Sequence, residues 1–144
     1  MAEKTRILFL CTGNSCRSQM AEAWARLLKG DEFEAYSAGV APKPVDPGAV
    51  KAMAEVGVDI SGQKSKEVDA LGNMDFDYVI TLCDHARESC PYLPARTRLI
   101  HRSFDDPPKL AEGAVNEEAA MEPYRRVRDE IKAFVESLPF ELRR

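Results

Sequence analysis

Thr5-Arg6-Ile7-Leu8-Phe9-Leu10-Cys11-Thr12-Gly13-Asn14-Ser15-Cys16-Arg17-Ser18 is the stretch that decides the fold. Its apolar run, Ile7 to Leu10, lacks polar alternation, which is the pattern of a strand covered on both faces. The loop behind it begins with a thiol, contains a glycine and ends with an arginine. Met20, Ala23, Trp24, Leu27 and Leu28 then recur at helical spacing up to Gly30, a natural C-terminal stop. A buried strand, a loop and a helix place that loop at the carboxyl end of a sheet, where open α/β folds commonly hold their site.

Working outward, residues 33–37 read as a second, short strand, ended by Gly39. Asp46 as cap and Pro47 in the first turn start a helix that Ala49, Val50, Met53, Ala54 and Val56 carry to Gly57. Residues 59–74 are polar, with a short helix expected over 66–71. Residues 76–82 form another nearly continuous apolar strand, and residues 97–100 a final short one. Phe104-Asp105-Asp106-Pro107-Pro108 reads as a loop, because two prolines remove two backbone donors. Tyr124, Val127, Ile131, Phe134, Val135 and Leu138 form the stripe of the last helix, with Pro123 in its first turn and Pro139 as its stop. This alternation predicts an α/β fold with a parallel sheet, one domain over residues 1–144.

Composition narrows the function. The chain has 144 residues, 24 acids against 20 bases and a formal charge of -4, with no basic block, so no nucleic-acid partner is expected. No apolar run approaches the roughly 18 residues of a membrane span. The opening Met1-Ala2-Glu3-Lys4-Thr5-Arg6 leads into too short an apolar stretch for a signal peptide. A cytoplasmic, reducing setting follows as the expectation, where the four cysteines are not read as two structural disulfides. Nothing calls for a dimer, and a monomer is expected.

The Cys11 loop suits an oxyanion. Gly13 lets the chain turn without a Cβ penalty. Successive N–H groups and the positive end of the helix starting near Arg17 would favour a thiolate at Cys11. Arg17 offers a planar fork for two oxygens. Ser15 and Ser18 can donate hydroxyls to the sulfur or to loop carbonyls. The plainer alternative is a tight turn with a buried cysteine. A zinc site usually pairs cysteines with two to four intervening residues and needs a second such pair nearby, and Cys83 with Cys90, all that remains beside Cys11 and Cys16, is too widely spaced to be one. Cys16 reads as structural, its thiol toward the first helix.

Cys11-Thr12-Gly13-Asn14-Ser15-Cys16-Arg17-Ser18-Gln19-Met20-Ala21-Glu22, Tyr36-Ser37-Ala38-Gly39, Val79-Ile80-Thr81-Leu82-Cys83, Cys90-Pro91, Phe104-Asp105-Asp106-Pro107 and Arg126-Val127-Arg128-Asp129-Glu130-Ile131 give the chain a family likeness. It resembles the thioredoxin-coupled arsenate reductases, built on the low-molecular-weight tyrosine phosphatase fold. The resemblance implies a three-layer fold, a four-stranded parallel sheet with helices on both faces. It implies that Thr12, Gly13, Asn14, Ser15, Cys16, Arg17 and Ser18 bind arsenate, with phosphate or sulfate as mimics. Cys11 would attack arsenate, Cys83 would attack Cys11 as arsenite leaves, and Cys90 would attack Cys83. Thioredoxin would reduce the Cys83–Cys90 disulfide, and Asp106 would be the general acid. No cofactor or metal is expected. If residues 83–90 were helical, the two Cα atoms would stand about 10 Å apart, beyond the about 7 Å a disulfide tolerates, so a rearranging segment is expected.

By the same resemblance Asn14, Glu22 and Ser37 would match three ligands of potassium-binding members, but Lys66 stands near the fourth; its ammonium would fill the cation's place beside Glu22, the alternative being that Glu22 lies on a solvated helix face. Asp105 reads as a turn former, His101 as a local hydrogen-bonding residue and His85 as solvated. Trp24, Tyr36 and Tyr124 read as packing residues, and Tyr92 as a candidate docking residue. Two other functions fit less well. A phosphatase leaves Cys83 and Cys90 without a task, and Pro108-Lys109 stands where tyrosine phosphatases of this fold carry an aromatic pair. A non-catalytic redox sensor would not need nucleophile, arginine and acid together.

Overall fold

The computed structural model describes residues 4–72, 74–84, 86 and 97–139. Strand β1 (Thr5–Cys11) is followed by helix α1 (Arg17–Lys29), β2 (Phe33–Gly39), α2 (Pro47–Ala54), a 3-10 turn (Val68–Leu71), β3 (Tyr78–Thr81), β4 (Arg98–His101), α3 (Pro107–Ala111) and α4 (Glu117–Glu136). The sheet is parallel, with strand order β2-β1-β3-β4. β1 is paired on both edges, and Ile7, Leu8, Phe9 and Leu10 are at most 1% exposed. That is why its sequence carries no polar alternation. Helices flank the sheet as expected, and α4 packs on α1, α2 and α3. No helix among the described residues is long and apolar enough to cross a membrane.

Asp46 caps α2 as expected, its carboxylate accepting from the Ala49 N–H at 3.2 Å, with Pro47 in the first turn. Two expectations about proline are corrected. Pro107 and Pro108 open the short helix α3 instead of extending a loop, because the first turn of a helix leaves its N–H groups unbonded anyway. Pro123 lies inside α4, not in its first turn. The helix starts six residues earlier, where the Asn116 side chain accepts from the Ala119 N–H at 2.8 Å and Glu117 and Glu118 favour the positive end. Met121, Tyr124, Val127, Ile131, Phe134 and Val135 turn the α4 stripe inward, and Trp24 donates its indole N–H to the Arg128 carbonyl at 3.2 Å.

Candidate active site

Strand register assembles the site. Leu10 pairs with Thr81 across β1 and β3, and the Leu82 N–H donates to the Leu10 carbonyl at 2.9 Å. One residue further, Thr12 meets Cys83, with its hydroxyl oxygen 3.2 Å from the sulfur. On the other side of β3, the Phe104 N–H donates to the Leu82 carbonyl at 3.0 Å, which delivers Asp106 to the same end of the sheet. Thr12, Cys83 and Asp106, far apart in the chain, thus share one edge because parallel strands end together.

The Cys11 loop is wrapped from outside. The carbonyls of Thr12, Gly13 and Ser15 accept from the N–H groups of Ala41, Lys43 and Asp46, each at 2.8 Å. The Gly13 carbonyl also accepts from the Ser65 hydroxyl at 2.9 Å, and the Asn14 carbonyl from the Gln19 amide at 2.9 Å. The C=O and N–H of a trans peptide point in opposite directions. With four carbonyls turned outward, the N–H groups of residues 13–16 turn into the hollow, a nest for an anion. Gly39 permits this closure. A Cβ there would lie 2.8 Å from both the Thr12 oxygen and the Asn14 nitrogen, which are backbone atoms that cannot step aside. The left-handed residue of the loop is Asn14, at φ 47°, not Gly13, and asparagine tolerates that region.

A directed chain of hydrogen bonds reaches the sulfur. The Lys66 N–H donates to Asn14 Oδ1 at 3.0 Å, which fixes the orientation of that amide. Asn14 Nδ2 therefore donates to Ser18 Oγ at 2.8 Å. The one hydrogen left on Ser18 points to Cys11 Sγ, 2.9 Å away, where it stabilises negative charge. Cys11, Asn14 and Ser18 are all buried, so water does not compete with these bonds.

In front of the loop lies a cleft of about 450 Å³ lined by Cys11, Thr12, Gly13, Ser15, Cys16, Arg17 and Asp106. Asn14 and Ser18 stand behind it, so their side chains brace the loop. Lys43, Pro44, Val45 and Pro108 also line the cleft, and Asp46 and Pro47 belong to its wall besides starting α2. None of these six was recognised in the sequence as a cleft residue, because each faces the loop only through the fold. Arg17 donates to the Phe104 carbonyl at 2.9 Å and stands 3.6 Å from an Asp106 oxygen. Burial pushes the Cys16 thiol well up from its ordinary value, with Asp46 and Cys11 adding to the effect and Arg17 opposing it. Burial and a hydrogen bond to Asp46 likewise push the Tyr124 hydroxyl up.

The Cys83 sulfur, 7% exposed at the residue level, also accepts from the Ala86 N–H at 3.4 Å. Cys90, His85 and Tyr92 lie outside the described residues. His101 makes the expected local hydrogen bonds, and Asp105 pairs with Arg126 at 2.9 Å. Glu22 is 3% exposed and already answered: Ser37 donates to it at 2.7 Å, the Arg26 guanidinium stands at 3.1 Å and the Lys66 ammonium at 3.8 Å. With two cations on one carboxylate, these residues do not fit a potassium ion.

The model of the family "Low molecular weight phosphotyrosine protein phosphatase" matches residues 6–144. An arsenate reductase of Halalkalibacterium halodurans is 51% identical over 138 residues, covering 93% of this chain and 97% of its own. A solved arsenate reductase in its oxidized state superposes with a TM-score of 0.77 at 32% identity, over 96% of this chain and 98% of its own. A thioredoxin-dependent arsenate reductase of Corynebacterium glutamicum matches 99% of this chain and 63% of its own, at 25% identity and a TM-score of 0.69. On the match over residues 6–144 and the identity to that reductase, the chain belongs to the low-molecular-weight phosphotyrosine protein phosphatase family, among its arsenate reductases.

Proposed function

We propose that this protein reduces arsenate to arsenite through three cysteines and is regenerated by thioredoxin. The observation that carries the reading is the Thr12–Cys83 contact at 3.2 Å, which brings a second thiol to the residue beside Cys11. Hydrolysis needs only the first.

Arsenate enters the nest with its oxygens on the loop N–H groups and the Arg17 fork, displacing Arg17 from the Phe104 carbonyl. The Cys11 thiolate attacks arsenic while Asp106 protonates the departing oxygen, and water leaves a thiol-bound arsenic(V). Ser18 steadies the sulfur. Cys83 then attacks the Cys11 sulfur. The S–As bond breaks, its electron pair stays on arsenic as arsenite, and a Cys11–Cys83 disulfide forms. Cys90 attacks Cys83 and returns Cys11 to its thiolate. A thioredoxin dithiol reduces the resulting Cys83–Cys90 disulfide, in line with the thioredoxin dependence of the Corynebacterium relative. The thiols must start reduced, so the cytoplasm suits the cycle.

The test is NADPH consumption by the full chain with arsenate, thioredoxin and thioredoxin reductase. Turnover that vanishes in Cys11→Ser, Cys83→Ser and Cys90→Ser is the expected result. Normal turnover in Cys90→Ser would remove the last step. Strong phosphatase activity without arsenate turnover would favour a phosphomonoester hydrolase, the second reading that the family supports.

A further inference from the structure

His101 closes the end of β4, opposite Thr81 in the register of β3. Its Nε2 lies 2.9 Å from Asp84 Oδ1 and its Nδ1 lies 2.7 Å from Thr81 Oγ1. A carboxylate can only accept, so Nε2 carries the hydrogen. In the neutral ring Nδ1 then accepts from the Thr81 hydroxyl; in the charged ring it donates to the same oxygen. Both protonation states keep both contacts. Thr81 is fully buried in the sheet, whereas Asp84 is exposed and directly follows Cys83. The imidazole thus ties a fixed point of the core to the first residue beyond the second thiol.

We propose that His101 is a positioning residue that pins Asp84 and so holds Cys83 in its reduced seat beside Thr12. The inference rests on the three-cysteine relay. Were residues 83–90 helical, the two Cα atoms would stand about 10 Å apart, beyond the about 7 Å a disulfide spans, and on that expectation the Cys83–Cys90 bond draws Cys83 out of its seat. The pin therefore favours the dithiol over the disulfide. It makes the last disulfide a better oxidant, and so easier for a partner dithiol to reduce. Among the described residues His101 does not line the oxyanion cleft, and its hydrogen bonds go to Thr81 and Asp84 and not to Cys11 or Cys83, so arsenate binding is spared.

The test is the reduction potential of the Cys83–Cys90 couple in the full chain carrying Cys11→Ser. Protein is equilibrated in buffers of oxidized and reduced dithiothreitol, then alkylated and weighed. His101→Ala and Asp84→Ala should each shift the equilibrium toward the disulfide by up to about fivefold, the reach of an exposed ion pair, which is about 20 mV more negative. The double variant should shift it no further than either single, and His101→Gln, which keeps a donor, should restore part of the loss. In chains with Cys11 intact, the KM for arsenate should not change. Unchanged potentials, or shifts that add in the double variant, overturn the proposal. Should His101→Ala fold poorly, the exposed Asp84→Ala decides alone. If no Cys83–Cys90 disulfide forms even in the parent, the relay falls and the pin with it. A disulfide of unaltered potential across the variants removes only the pin.

Discussion

The two thiol-bearing edges of the cleft are built in opposite ways. Around Cys11 four consecutive carbonyls are bonded outward, a buried amide and a buried hydroxyl converge on the sulfur, and Gly39 lets two backbone segments nearly touch. Around Cys83 the described residues give the sulfur one hydroxyl and one N–H, and the next residue, Asp84, is exposed. The contrast assigns the tasks. A fixed edge can be shaped to a tetrahedral anion before it arrives, which is where binding and the first bond are gained. A lightly held edge can swing a sulfur from one partner to the next.

The strongest way to break this division is to remove one sulfur at a time. Cys11→Ser should lose arsenate turnover and p-nitrophenyl phosphate hydrolysis together. Cys83→Ser should lose arsenate turnover while keeping the hydrolysis. If both variants lost both activities, the edges would not be separable. Next in size, Gly39→Ala forces the Thr12 and Asn14 backbones apart. A displacement of about 1 Å at the cradle should lower kcat/KM for arsenate about 100-fold, with a loss of phosphate binding by calorimetry. Ser18→Ala deletes one hydrogen bond to a charged sulfur and should lower kcat/KM about tenfold, with KM nearly constant.

The smallest effect concerns Cys16. Its thiol is pushed up by burial, so it stays protonated at pH 8 and loses its proton only at higher pH. Iodoacetamide should label Cys11 well before Cys16, as read by mass spectrometry of digests. Equal labelling would show that the cradle is less closed than its hydrogen bonds imply.

Much of this was legible in the chain because it is local. The strand–loop–helix unit around Cys11 and the Asp46–Pro47 helix start follow from residue type and spacing. Elsewhere the same signals misled. By residue type alone proline breaks the chain at Pro107 and begins a helix at Pro123, yet Pro107 opens a helix and Pro123 sits within one. The position of a proline relative to the cap decides which, and the cap of the last helix is Asn116. The braces of the loop escaped for another reason. Ser65, Gln19, Gly39 and Lys43 carry no motif, and their roles exist only once distant segments meet. The left-handed backbone of the loop falls on Asn14 and not on Gly13, which composition alone does not tell.

The crossing of β1 and β3 has a broader meaning. Neighbouring strands stand about 4.8 Å apart whatever their sequence, so the sheet itself supplies the reach between the residue after one strand and the residue after the next. A scaffold that already cradles a phosphate-like anion needs no new core to exchange hydrolysis for electron transfer. It needs sulfur at the mouth of the adjoining strand and a tether weak enough to let go.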